Sequence, residues 1–258
     1  MRGERERRER IVERVRRDGF ASNEALAQHF QVTPQTIRRD LAALCAAGRL
    51  RRWHGGAGLP SSVENLAYPT RQVLCLAEKR RIAQLVARHI PNAASLFVNI
   101  GTTTEEVARA LLDHQRLRVI TNNLNVAQIL AGKEDLEVIV AGGLVRARDR
   151  GIVGEATIDL IRQFKVDIGI IGISGIDPDG TLLDYDYREV RVAQAIVANS
   201  RRVFLAADHT KFGRNAMVRM GHVRDVDALF TDAEPPAPIR AILAEAGREV
   251  VVAAADEG

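Results

Sequence analysis

Apolar positions over the first sixty residues recur at helical spacing and are punctuated by capping residues. Ile11, Val12 and Val15 stand among charges and predict a helix over about 5–17, broken by Gly19. Ser22 then caps a short helix, Asn23 to Phe30, with Glu24 favourably placed in its first turn. Gln31-Val32 leaves room for only a tight turn. Thr33 is a good N-cap for a third helix, and Pro34 fits its first position, where a missing N–H costs nothing. Ile37, Leu41 and Leu44 give this helix one apolar face, and Gly48 supplies a stop. Arg49 to Ala57 has the pattern of a β-hairpin turning at Gly55-Gly56. Two short helices joined by a tight turn, with a hairpin behind them, predict a winged helix-turn-helix over residues 1–57.

Beyond a polar, Pro/Ser-bearing linker, residues 58–74, the pattern changes. A helix over about 76–90 points Ile82, Leu85, Val86 and Ile90 inward and stops at Pro91. Short apolar runs follow at Leu96–Ile100, Leu117–Thr121, Leu136–Ala141, Asp167–Ile173, Arg202–Ala207, Ala228–Thr231 and Glu249–Val252. Helical segments near 105–112, 124–131, 155–163, 187–199 and 237–246 alternate with them. Buried β-branched runs alternating with helices predict a mostly parallel α/β domain over residues 75–258. The fold class is therefore α/β, with a winged helix-turn-helix in front.

Composition adds one sharp distinction. At 46% hydrophobic and 27% charged the chain is an ordinary globular protein, and no segment has the apolar length of a membrane span. Net charge is uneven. Residues 1–57 carry thirteen arginines against seven acidic residues, a balance of +6, while the remainder carries 24 basic against 26 acidic residues, or −2. A phosphate backbone would be met by the head and not by the body. Cys45 and Cys75 fall in different domains without metal-ligand spacing. They are expected to be reduced thiols of a cytoplasmic protein, and no metal or cofactor is expected.

The head's candidate chemistry lies on the third helix. Gln35, Arg38 and Arg39 recur at i, i+3, i+4, so an amide and two guanidinium groups project together. These side chains recognise adenine and guanine edges bidentately in the major groove. Thr33 and Thr36 join them at the helix start, and Arg51, Arg52 and His54 of the wing are placed for phosphates or a minor groove. Surface arginines alone are usually just solvated. Here cap, faces, preceding helix and basic wing agree, so operator DNA is the expected partner. The alternating Glu and Arg of residues 2–17 instead suit a solvated, self-paired helix face.

In the body, the polar residues gather just after the strands. Gly101, Thr102 and Thr103 follow the first strand and open a helix, a pattern suited to phosphate. Asn122 and Asn123 follow the second strand, Gly142 and Gly143 the third with Arg146 and Arg148 after them, Ser174 the fourth, and Asp208 and Lys211 the fifth. Open α/β sheets bind ligands at the carboxyl ends of their strands. A small phosphorylated effector is expected there, with Lys211 and Arg146 balancing charge and Asp208 and Asn122 suiting hydroxyls. Asp208 with Lys211 also raises an alternative, a sugar-phosphate isomerase carrying a DNA-binding head. No nucleophile elbow, Walker loop or metal constellation accompanies them, so no catalytic residue is assigned.

Taken together, TPQTIRRDL (33–41), RRWHGGA (51–57), EKRRIA (78–83), NIGTTTEEVA (99–108), TNNLNVA (121–127), AGGLVRARD (141–149), GISGID (172–177) and DHTKFGRNAM (208–217) resemble the DeoR family of bacterial transcriptional regulators. The resemblance covers nearly the whole chain. It implies a sensor domain related to ribose-5-phosphate isomerases and CoA transferases, and a tetramer. The short helix-turn-helix half-site by itself predicts a homo-oligomer, a dimer or higher. The longer runs LPSSVEN (59–65), IVGEATIDLIRQF (152–164) and GISGIDPDGTLLDYDYREVR (172–191) resemble the branch controlling glycerol metabolism. Those runs imply repression of glycerol and glycerol-3-phosphate genes, relieved by glycerol-3-phosphate; another phosphosugar is the alternative effector. Gln35, Arg38 and Arg39 fall on the family's recognition helix, and Gly101, Thr102, Thr103, Asp208 and Lys211 on its sensing loops. One departure stands out. Many members have an acidic residue where this chain has Asn99, and an amide cannot serve as a carboxylate base.

Overall fold

The computed structural model describes residues 2–18, 20–47, 49–53, 55–58, 63 and 65–253. The backbone divides into two units, residues 1–74 and 75–258. Gly19, Gly48 and His54, which the sequence marks as breaker, stop and wing contact, lie outside the described residues, as do 59–62 and 64 of the expected linker.

The first unit comprises α1 (Arg2–Asp18), β1 (Phe20–Ser22), α2 (Asn23–Phe30), α3 (Pro34–Ala46), β2 (Arg51–Trp53), β3 (Gly56–Gly58) and α4 (Tyr68–Val73). Its core joins Ile11, Val12 and Val15 of α1 to Leu26 of α2 and to Ile37, Leu41 and Leu44 of α3. Both short helices begin where a cap residue stands. Ser22 Oγ accepts from the Ala25 N–H at 3.0 Å and Thr33 Oγ1 from the Thr36 N–H at 3.2 Å. Between the helices Gln31 turns the chain with a left-handed φ of 54°.

Three features depart from the sequence pattern. The wing is a three-stranded sheet in the order β1-β3-β2 and not a simple hairpin. Gly55, at φ +74°, carries the turn, whereas Gly56 lies in β3, where an added Cβ would stand 2.2 Å from the Ala21 carbonyl oxygen. A helix, α4, also falls inside the stretch expected to be a plain linker. The charged face of α1 pairs with itself only in part. Arg8 meets Glu4 and Arg14 meets Asp18, but Arg7 Nε and Arg8 Nε also donate to Asp40 at 2.6 and 2.9 Å. Asp40 is buried on α3, so this contact braces the third helix against the first.

The second unit opens with α5 (Leu76–Arg88), β4 (Ser95–Val98), α6 (Thr102–Ala110), β5 (Arg118–Thr121), α7 (Leu124–Leu130) and β6 (Glu137–Val140). A hairpin of β7 (Leu144–Val145) and β8 (Ile152–Val153) precedes α8 (Glu155–Ile161) and β9 (Val166–Ile171). Then come β10 (Gly175–Ile176), β11 (Thr181–Asp184), α9 (Tyr187–Ala198), β12 (Ser200–Ala206) and β13 (Val218–His222). The last elements are β14 (Ala228–Thr231), α10 (Ala237–Glu245) and β15 (Glu249–Val252). Seven strands form one sheet in the order β15-β14-β12-β9-β4-β5-β6, every pair parallel. All seven are the strands the apolar runs predict, because a parallel sheet covered on both faces needs continuous apolar sequence.

Two apolar layers sandwich that sheet. Ile82, Val86, Val107, Val126 and Leu130 pack α5, α6 and α7 on the face that carries Leu96, Val98 and Val119. Ile158, Ile161, Val190, Ile196, Ile239 and Leu243 pack α8, α9 and α10 on the face that carries Phe97, Ile120 and Leu205. The chain starts the sheet at β4, adds β5 and β6 on one side, then returns to add β9, β12, β14 and β15 on the other. The order reverses between β4 and β9, and open α/β sheets bind their ligands at the carboxyl ends of the strands beside such a reversal.

Candidate nucleic-acid interface and ligand crevice

On α3 the outward face is Gln35, Arg38 and Arg39, all exposed and opposite the buried Ile37, Leu41 and Leu44. Arg38 and Arg39 make no hydrogen bond or ion pair to the described residues. Thr33 and Thr36 share a hydroxyl contact of 2.9 Å that stiffens the helix start. In the wing Arg52 is exposed, and Arg51 lies 5.7 Å from the centre of the Trp53 ring. Two forked cations and an amide thus project from a capped, braced helix, the shape and charge a major groove accepts.

At the crevice, Gly101 caps α6 at φ +155°, and Thr102, Thr103 and Thr104 follow it buried. Thr104 Oγ1 donates to the carbonyls of Asn99 and Gly101 at 2.7 and 2.8 Å, so this hydroxyl holds the turn. Thr102 and Thr103 stand in the first turn of α6, where the leading N–H groups have no intrahelical partner. Asn123 caps α7 and donates to Glu105 Oε1 at 3.2 Å, which ties the end of β5 to the start of α6. Asn122 Nδ2 donates to the Ile152 carbonyl at 3.1 Å.

Farther along the sheet, Asp208 is buried and its Oδ2 lies 3.9 Å from Lys211 Nζ. Burial alone would push the Asp208 carboxyl up, but Lys211, the Thr210 contacts and Lys79 together bring it below its usual range. Lys79 is only 2% exposed, and the sequence reading missed it. The signal was present, since residues 79, 82, 83 and 86 share the inward face of α5. A lysine on the apolar stripe of an amphipathic helix is a buried cation in need of an anion. Beside it, burial pushes the Cys75 thiol up to about 12, so that cysteine is an inert, reduced filler.

Other sequence-marked residues are already occupied within the domain. Arg146 is buried against Asp149 at 2.8 Å, Asp186 at 3.0 Å and Glu189 at 2.7 Å. Burial and Asp184 push the Glu189 carboxyl up, while Asp186, against the pull of its own burial, is held at about 2 by Arg188 and Arg146. Ser174 Oγ donates to Asp184 Oδ1 at 3.1 Å. Gly142 accepts from Thr157 Oγ1 at 2.8 Å, and Gly143 lets the β7–β8 hairpin close, since a Cβ there would meet that hydroxyl at 2.2 Å. Two open grooves of 720 and 740 Å³ lie elsewhere, one between α5 and α6 and one at the amino ends of β4 and β5.

A DeoR-like helix-turn-helix model matches residues 7–63, and a DeoR C terminal sensor model matches residues 75–233. The chain belongs to the DeoR family. This DeoR protein is 55% identical over 235 residues to the glycerol-3-phosphate regulon repressor of Escherichia coli (strain K12), covering 91% of this chain and 93% of that protein. It is 52% identical to the protein of the same name in Haemophilus influenzae, over 89% of each. Among solved structures, ribose 5-phosphate isomerase A from Neisseria gonorrhoeae is similar over 52% of each chain, with a TM-score of 0.38 and 14% identity. In DeoR terms the α3 face lies in the helix-turn-helix and the strand-end crevice in the sensor. No helix among the described residues is long and apolar enough to cross a membrane.

Proposed function

We propose that this chain is a cytoplasmic repressor of glycerol and glycerol-3-phosphate metabolism genes that releases its operator when glycerol-3-phosphate binds the sensor. The observation that carries this reading is the 55% identity, spanning both domains, with a glycerol-3-phosphate regulon repressor. Gln35, Arg38 and Arg39 contact base edges, while Thr33, Thr36, Arg51, Arg52 and His54 contact the backbone. In the sensor, Gly101, Thr102 and Thr103 take the phosphate with Lys211 and Lys79, and Asn122 and Asp208 take hydroxyls. Asn123, Gly142, Gly143, Arg146 and Ser174 shape the crevice around them.

The effector acts by binding the arrangement that cannot engage DNA, so operator affinity falls as that arrangement is populated. A single helix-turn-helix covers a short half-site, so a dimer or tetramer spans paired half-sites. Exposed Val140 of the edge strand β6 and exposed Leu144 and Val145 of β7 support self-association. The isomerase alternative is disfavoured by Asn99, which stands where proton abstraction would want a carboxylate. An operator-binding assay titrated with glycerol-3-phosphate, glycerol and several sugar phosphates tests the reading. Release by glycerol-3-phosphate at the lowest concentration is expected, and release by a sugar phosphate alone would replace the effector.

A further inference from the structure

Two buried amides at the end of the sheet are left unfinished by the protein itself. Asn99 is 2% exposed and Asn122 is 1% exposed, yet neither Oδ1 has a hydrogen-bond partner among the described residues. Buried acceptors are normally satisfied, because an unpaired one bears the whole cost of leaving water. Asn122 is not free to turn. Its Nδ2 is committed to the Ile152 carbonyl at 3.1 Å, which directs Oδ1 away from β8. Asn99 is fixed through its main chain, its N–H donating to Ile170 and its carbonyl accepting from Thr104.

The two amides are also side by side. Val98 pairs with Thr121 in the parallel register of β4 and β5, so Asn99 and Asn122 occupy the next rung. Phe97 and Ile120 belong to the same apolar layer, so by alternation both amides leave the sheet on that side. The two residues are thus one strand spacing, about 5 Å, apart along the backbone. Two residues beyond Asn99 comes the Gly101 turn at the start of α6, which suits an anion.

We propose that Asn99, with Asn122 beside it, is the hydroxyl-reading pair of the effector crevice, selecting a phosphorylated compound that carries two free hydroxyls on neighbouring carbons. The assignment rests on the crevice being a phosphopolyol site. At Asn122, whose Nδ2 is already committed, the chemistry is one-directional. An amide oxygen accepts from a hydroxyl, whereas a ketone presents lone pairs to lone pairs, and a missing hydroxyl leaves the acceptor bare. A site built to bond a hydroxyl rejects such analogues strongly. Asn99 in place of a carboxylate also keeps a negative charge away from the phosphate.

The test uses the full chain on an operator fragment, titrated with glycerol-3-phosphate, dihydroxyacetone phosphate and propane-1,2-diol 1-phosphate, and the thermal midpoint of the ligand-free protein. Wild type is expected to prefer glycerol-3-phosphate by at least about tenfold over both analogues. In Asn99→Leu, and in the smaller Asn99→Ala, the preference should fall below about threefold. The midpoint of Asn99→Leu should not drop, because no hydrogen bond within the protein is lost. A wild-type preference retained in both variants overturns the assignment while leaving the effector reading standing. A wild type that answers none of the phosphates overturns the crevice reading and this assignment with it.

Discussion

The head and the sensor handle polar side chains in opposite ways. On α3, Arg38 and Arg39 stand in solvent without a partner among the described residues. In the sensor, Lys79, Asp208 and Arg146 are all buried and set against opposite charges. The difference matches the ligands proposed for the two domains. DNA is a large polyanion that brings its own field, so exposed, hydrated cations meet it by displacing counterions. A small phosphorylated molecule offers few contacts, and each must be prearranged away from water to discriminate. The head therefore tolerates loss of its functional groups without loss of fold, whereas the sensor's polar groups are part of its structure.

Arg146→Ala should break that comparison most visibly. It removes the buried cation among Asp149, Asp186 and Glu189 and leaves the exposed Arg148 and Arg188 at the rim, at a cost of about 3–5 kcal/mol. Thermal melting that followed the sensor and showed no loss would mean that water reaches the cluster. Next in size, Arg38→Ala should weaken operator binding by about 1–3 kcal/mol and relax preference at one base pair. Its melting midpoint should not move. Equal weakening on every sequence would make Arg38 a phosphate contact instead.

Thr33→Ala separates the two kinds of effect within the head. Loss of the cap should cost about 1 kcal/mol of stability, and the lost backbone contact should weaken operator binding evenly on every sequence. The smallest effect concerns His209, whose Nδ1 lies 2.5 Å from Asp232 Oδ2. That hydrogen bond holds the imidazole above its usual value, against the opposing pull of burial. Its stabilisation is complete below about pH 6.5 and is lost as pH rises through the raised value. His209→Gln should flatten the sensor's stability across that window, and an unchanged pH slope would assign the dependence elsewhere.

Much of this was legible in the chain because it is local. Caps at Ser22 and Thr33 mark where helices start, and continuous β-branched runs mark strands buried on both faces. What stayed hidden depends on contacts distant in sequence. Strand β1 is three residues long and exists only because β3 pairs with it. The β10–β11 hairpin turns at Gly180, with φ +87°, in a Asp-Pro-Asp-Gly run that is a turn signal but names no partner strand. Lys79 and the unpaired amide of Asn99 are single letters until the fold shows that they are buried. Arg146 was legible as a cation. Its commitment to Asp149, Asp186 and Glu189 was not, because two of those carboxylates lie about forty residues away.

The division between an exposed reader and a buried sensor is tested most directly by Lys211→Ala in the operator assay. Operator affinity should match wild type, while glycerol-3-phosphate should no longer cause release. Normal release by glycerol-3-phosphate in this variant, or weakened operator binding without effector, would contradict the division.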